Sequence, residues 1–160
     1  MSGRRVDPKG ASQNPSGLPS MGEIVMKTRT KTKPLSKGKL STPELIKAIL
    51  HDLLDTSPYV KASAVVKVSG LTVVSVMPPY VEEERVSAMS AVMLLLGERI
   101  TNAMKGGPLD KVYIKGADGH IVLMSVGKEA VLTVMAGERA PLGLLFVEMR
   151  LAAEKLLKVI

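Results

Sequence analysis

The residues of this 160-residue chain that are able to do chemistry are few and scattered. Glu82, Glu83 and Glu84 form an acidic run of the kind that serves general acid–base work, but they stand at the start of a helical segment, where carboxylates meet the helix dipole favourably and need no other role. His51 and His120 are the only histidines. A metal site wants clustered histidines and carboxylates, and these two are isolated. His51 falls on the polar side of a helical segment and His120 just after a turn, so both are expected in solvent. Gly127-Lys128 is followed by Glu129 rather than Ser or Thr and lacks the upstream glycine of a phosphate-binding loop. No G-x-S-x-G nucleophile elbow occurs, and cysteine is absent, which excludes disulfides, thiolate catalysis and cysteine-ligated metal. The chain is expected to carry no catalytic site, metal or cofactor of its own, and to be an interaction module.

The net charge is +7, and its location matters. Residues 1–40 hold nine Lys and Arg against two acids, whereas residues 41–160 hold thirteen of each. The excess is confined to the first segment, so the basic balance does not describe a nucleic-acid-binding domain surface. That segment has Pro8, Pro15, Pro19, Pro34, five glycines and the run KTRTKTK from Lys27 to Lys33. Such a composition buries too little apolar area to offset ordering entropy, and a disordered basic tail is expected over 1–40. It suits a solubilising tail, or an over-extended start with Met21 or Met26 as initiator; an electrostatic tether to acidic lipid, nucleic acid or an acidic partner is the functional alternative. No apolar run approaches a membrane span and no secretory signal opens the chain, so a cytoplasmic protein is expected.

One folded domain over 41–160 remains to position whatever function there is. Ser41 and Glu44 can form a capping box around Pro43, and Leu45, Ile46, Ile49, Leu50, Leu53 and Leu54 make the apolar face of the helix that follows. Lys61–Val68 and Leu71–Met77 are β-branched runs joined by Ser69-Gly70, a hairpin apolar on both faces. Three further strands are expected at Leu109–Lys115, His120–Ser125 and Ala130–Ala136, with short connections that make them antiparallel neighbours. The first of these alternates Val112 and Ile114 with Lys111, Tyr113 and Lys115, which suits a sheet edge or a strand that pairs with its own copy. Pro141–Ile160 is a closing amphipathic helix.

The helix between the two strand groups, Val81–Lys105, is the unusual element. Val86, Met89, Met93, Leu96, Ile100 and Met104 form one stripe, read as the face toward the core. Ala88, Ala91, Leu94 and Leu95 make a second apolar side. A helix apolar on two sides needs two things to pack against, a sheet and either its own domain or a second subunit.

The hairpin AVVKVSGLTVVS (Ala64 to Ser75), the helix SAMSAVMLLLGERI (Ser87 to Ile100) and the end APLGLLFVEMRLAAEKL (Ala140 to Leu157) together resemble the roadblock or dynein-light-chain family, including MglB-like domains. Leu142-Gly143 followed by Glu148-Met149-Arg150 and Ala152-Ala153 carries most of the likeness. Lys67-Val68-Ser69 departs from it, since the family often has an acidic residue ahead of the turn glycine. The resemblance implies an α/β (α+β) sandwich, profilin-like, in the order α-β-β-α-β-β-β-α: a five-stranded antiparallel sheet with helices on both faces. It further implies a homodimer or roadblock heterodimer made through paired central helices and third strands, with Ala88, Ala91, Leu95, Val112 and Ile114 at the interface. MglB-type members regulate small Ras-like GTPases, so a non-catalytic GTPase regulator follows, with Glu84, Ser87 and Glu98 as exposed positions facing the GTPase. A dimeric scaffold that recruits partners or an acidic surface through the basic tail is the alternative.

Overall fold

The computed structural model describes residues 40–160, and the expected basic tail lies outside them. Helix α1 spans Thr42–Thr56. Its start is fixed by Glu44, whose carboxylate accepts from the Ser41 backbone N–H at 2.7 Å and from the Ser41 hydroxyl at 2.9 Å. These two bonds, the backbone one first, hold the Glu44 carboxyl below its ordinary range. Strands β1 (Val60–Lys67) and β2 (Thr72–Val76) follow, then α2 (Glu83–Ala103). Next come β3 (Lys111–Gly116), β4 (Gly119–Val126), β5 (Ala130–Gly137) and α3 (Leu142–Leu157). The expected element order is the observed one.

The β1–β2 connection is wider than a two-residue turn. Gly70 N–H donates to the Lys67 carbonyl and Lys67 N–H to the Leu71 carbonyl, both at 2.8 Å, and Gly70 takes a φ of 90° that favours glycine. A Cβ on Gly70 would also sit 3.3 Å from the Ala88 Cα, so this turn seats the beginning of α2.

All five strands form one antiparallel sheet in the order β2-β1-β5-β4-β3. Pairing β1 with β5 puts the two most apolar strands at the centre and leaves β2 and β3 as edges. Helices α1 and α3 cover one face. Ile46, Leu50 and Leu53 from α1 and Leu145, Met149 and Leu156 from α3 close there on Val65, Val122, Leu132 and Val134. Helix α2 covers the other face, with Leu94 packed on Leu123 and Val131. A sheet apolar on both sides is covered on both sides.

Specific groups tie α1 to α3, which share one layer, and tie α3 to the edge strand. Ser57, fully buried at the end of α1, donates to Glu148 Oε2 at 2.6 Å, and the Tyr59 hydroxyl donates to the same oxygen. Partial burial, reinforced by that carboxylate, raises the Tyr59 phenol above its ordinary range. Arg150 reaches Asp110 at 3.2 Å just before β3, and the Lys111 ammonium lies 5.1 Å from the centre of the Phe146 ring. The edge strand is thereby held to α3.

Candidate interaction surface on the central helix

Helix α2 sits on the sheet through its small residues. Ser87, Ser90, Ala91 and Leu94 are its buried positions. Register places Ala64 opposite Thr133, and Val66 opposite Val131, on the sheet surface beneath them. Small side chains on both sides let the backbones approach closely, and two features confirm the closeness. The Ser87 and Thr72 hydroxyls share a hydrogen bond of 2.6 Å. A Cβ on Gly97 would meet Leu109 Cδ2 and Val112 Cγ2, each at 3.0 Å.

The bulky apolar residues face the other way. Val92 is 62% exposed, Met89, Leu95 and Ile100 are each 51% exposed, and Leu96 is 47% exposed. The stripe expected to meet the core therefore contributes Met89, Leu96, Ile100 and Met104 to the open side, with Val86 and Met93 half-buried at its border. The sheet surface under α2 takes one long side chain, Leu94 on Leu123 and Val131, and otherwise the helix turns its small residues inward. Near the far end of β3 and β4, on the same sheet face, Ile114 and Met135 are half-buried and Ile121 is exposed. So many exposed large apolar side chains on one helix make this side of α2 a candidate interaction surface.

The expected interface residues divide accordingly. Ala88 and Leu95 lie on the open arc, while Val112 and Ile114 are half-buried in the edge strand. Ala91 is 6% exposed and packs beneath the helix, so within one chain it is a sheet contact. Glu84 and Glu98 are exposed, but Ser87 is fully buried and bound to Thr72, which corrects its placement on an open surface. Met89, Val92, Leu96 and Ile100, which are not among the expected interface residues, also lie on the open arc. The signal for them was Ser87, Ser90, Ala91, Leu94 and Gly97, a run of mainly small residues at helical spacing that marks the inward side.

His51 is exposed as expected, whereas His120 is 5% exposed. Its ring stacks on Tyr113, and Nδ1 lies 2.8 Å from the Tyr113 hydroxyl. Nε2 lies 2.9 Å from the Glu138 carbonyl oxygen, which can only accept, so Nε2 donates there, and Nδ1 shares its hydrogen bond with the tyrosine hydroxyl. With both nitrogens occupied, this histidine is a structural clasp between β3, β4 and the loop after β5. Among the described residues no group of three or more His, Cys, Asp or Glu is placed to hold a metal ion. Nor is any helix among them long and apolar enough to cross a membrane.

The Roadblock/LC7 domain pattern matches residues 46–136, more than half the chain and the stretch that contains α2, β1 to β4 and all but the last residue of β5. The chain belongs to the Roadblock/LC7 domain family. A relative, the uncharacterized protein MJ1340 of Methanocaldococcus jannaschii, is 32% identical over 112 residues, covering 70% of this chain and 96% of that one. Among solved structures, Myxococcus xanthus MglB superposes with a TM-score of 0.69 at 18% identity, covering 76% of this chain and 92% of its own. The gliding protein mglB of Thermus thermophilus gives 0.67 at 13% identity, covering 76% and 93%. At such identities the roadblock likeness to these two is one of fold.

Proposed function

We propose that this roadblock protein is a non-catalytic, dimeric regulator of a small Ras-like GTPase in the cytoplasm, with residues 41–160 as its working domain. The open apolar arc of α2 carries the reading: among the described residues Met89, Val92, Leu95, Leu96 and Ile100 are left about half exposed or more. Two chains that lay their α2 helices side by side bury this arc, with Ala88 giving the close approach and Leu95 the bulk. The β3 edges, carrying Val112 and Ile114, then join. Ala91 and Ser87 act from beneath, by fixing the height of α2 above the sheet. The second chain is an identical copy or another roadblock protein. No cofactor is needed for such a role.

Glu84 and Glu98 are exposed on α2, which supports them as the carboxylates that meet a GTPase across the paired helices. Regulation of this kind works by aligning the partner's own groups, because phosphoryl transfer is mostly positioning and electrostatics. The MglB-like fold supports this partner class, and the role implied for MglB-type members by the sequence resemblance supplies the reaction. The test mixes the full chain with a small Ras-like GTPase from the same genome in its GDP and GTP states. Nucleotide-dependent binding, together with a changed rate of hydrolysis or exchange that weakens in Glu84→Lys/Glu98→Lys, supports the reading. Absence of binding in both states would sink it.

A further inference from the structure

Helix α3 turns Leu145, Met149, Ala152, Ala153 and Leu156 inward. Its opposite side carries Leu144, Val147 and Leu151, each more than half exposed, followed by Glu154 and Lys158, also exposed. These five positions advance in alternating steps of three and four residues, so they lie along one line, as in the seam between two helices. This line is on the face of the sheet opposite α2, where a partner docked on α2 does not reach it.

The surroundings of the stripe indicate what covers it. Its flanks are electrically closed, because Lys155 is paired with Asp52 at 3.1 Å and Arg150 with Asp110 at 3.2 Å. A strongly charged surface such as nucleic acid or an acidic membrane has little there to attract it. The first turn of α3 begins at Pro141 with no side-chain cap and no acidic residue, while Glu154, at the other end of the stripe, has no ion-pair partner among the described residues. An uncapped helix start favours a carboxylate. Gly143 lies beside Leu144 and Val147, and a Cβ added there would meet nothing within 4 Å. Among the described residues nothing crowds that glycine, which leaves room for a second backbone.

We propose that a second copy of this chain covers the stripe, with the two α3 helices antiparallel. Leu151 of each then packs on Val147 and Leu144 of the other, Glu154 reaches the other helix's open first turn, and Lys158 comes alongside Glu138. Either sense overlaps the apolar segments, but a parallel pair sets Glu154 against Glu154 and Lys158 against Lys158, whereas the charges at the ends are self-complementary in the antiparallel sense. Side-by-side α2 pairing puts both α3 helices of a dimer on the same side of the joined sheet. Two dimers stacked back to back therefore close at four chains. That closure rests on the α2 reading, whereas the α3 contact does not.

The test is the mass of the full chain, 17.1 kDa per copy, by light scattering. It is followed from about 10 µM to about 1 mM, the range in which a small homotypic interface assembles. The wild type should approach four chains. Leu151→Glu, at an exposed position, should fall to two, Leu95→Glu should also fall to two, and the double variant should be a single chain. Val147→Ser, a milder change, should shift the association to higher concentration, and circular dichroism should show every variant folded. A wild type that never exceeds two chains and is unmoved by Leu151→Glu overturns the α3 contact and leaves the stripe to a different protein. Loss of assembly in Leu151→Glu but not in Leu95→Glu would instead uphold the α3 contact and reject α2 pairing.

Discussion

Thr72 on the edge strand β2 and Ser87 in the second turn of α2 are joined hydroxyl to hydroxyl at 2.6 Å, with Ser87 wholly buried. This bond fixes where α2 starts and how close it lies to the sheet. Which side chains point outward follows from that placement. Ser87→Ala removes one partner and leaves the Thr72 hydroxyl half-buried, so unfolding in urea should show a loss of about 1 kcal/mol. An unchanged midpoint would mean that the pair does not hold the helix.

Gly97 does the same work at the other end. A valine there must displace Leu109 and Val112, both of which its Cβ already meets at 3.0 Å. Gly97→Val is expected to cost about 1–3 kcal/mol by overpacking, read as a lower melting temperature. If the variant melts at or above the wild-type temperature, α2 is not pressed against β3 as described.

Much of this architecture was legible from the residues. The capping pair at Ser41 and Glu44, the β-branched runs and the lysines alternating along β3 announced α1, the strands and one sheet edge. The orientation of α2 was not legible, because it is apolar on both sides and large residues read as core by default. Only the neighbours settle it: the strands below take Ser87, Ser90, Ala91 and, between Leu123 and Val131, Leu94, which leaves Met89 and Leu96 on the open side. His120 was misplaced for a related reason. Its position after a turn suggested solvent, yet the loop after β5 and the Tyr113 ring close over it, contacts far away in sequence or across a register.

Glu148 is the acceptor for two hydroxyls, one of them on fully buried Ser57. Glu148→Ala should cost about 1–3 kcal/mol by stranding Ser57, and Glu148→Gln, which keeps an accepting oxygen, should recover part of that in chemical denaturation. Equal stability of the alanine variant would contradict the tie between α1 and α3.

The same contact sets an alkaline dependence. Burial and the nearby carboxylate raise the Tyr59 phenol in the folded chain above its unfolded value, so the neutral form is favoured by folding. The contribution is fully present below the unfolded phenol range near pH 10 and is lost as pH rises through the raised folded value. Tyr59→Phe should flatten the stability curve in that alkaline window. A wild type and a Tyr59→Phe variant with parallel curves there would refute the assignment.

Thr133 lies under α2 with its hydroxyl buried and without a hydrogen-bond partner. Thr133→Val keeps the shape and removes the unsatisfied group, so it should stabilise the chain by about 1 kcal/mol. A destabilised variant would show that the hydroxyl has a partner in solution.

The central claim is that the outward arc of α2 is an interface, and Leu95 tests it most directly. The residue is half exposed, so a charge there leaves the single-chain fold intact but is not tolerated between two packed helices. Sedimentation at about 10 µM, above the dissociation constants of stable dimers, should give at least two chains for the wild type. Leu95→Glu should lose the contact while keeping its circular dichroism. A wild type that sediments as one chain, or a variant that sediments as the wild type does, would contradict the account.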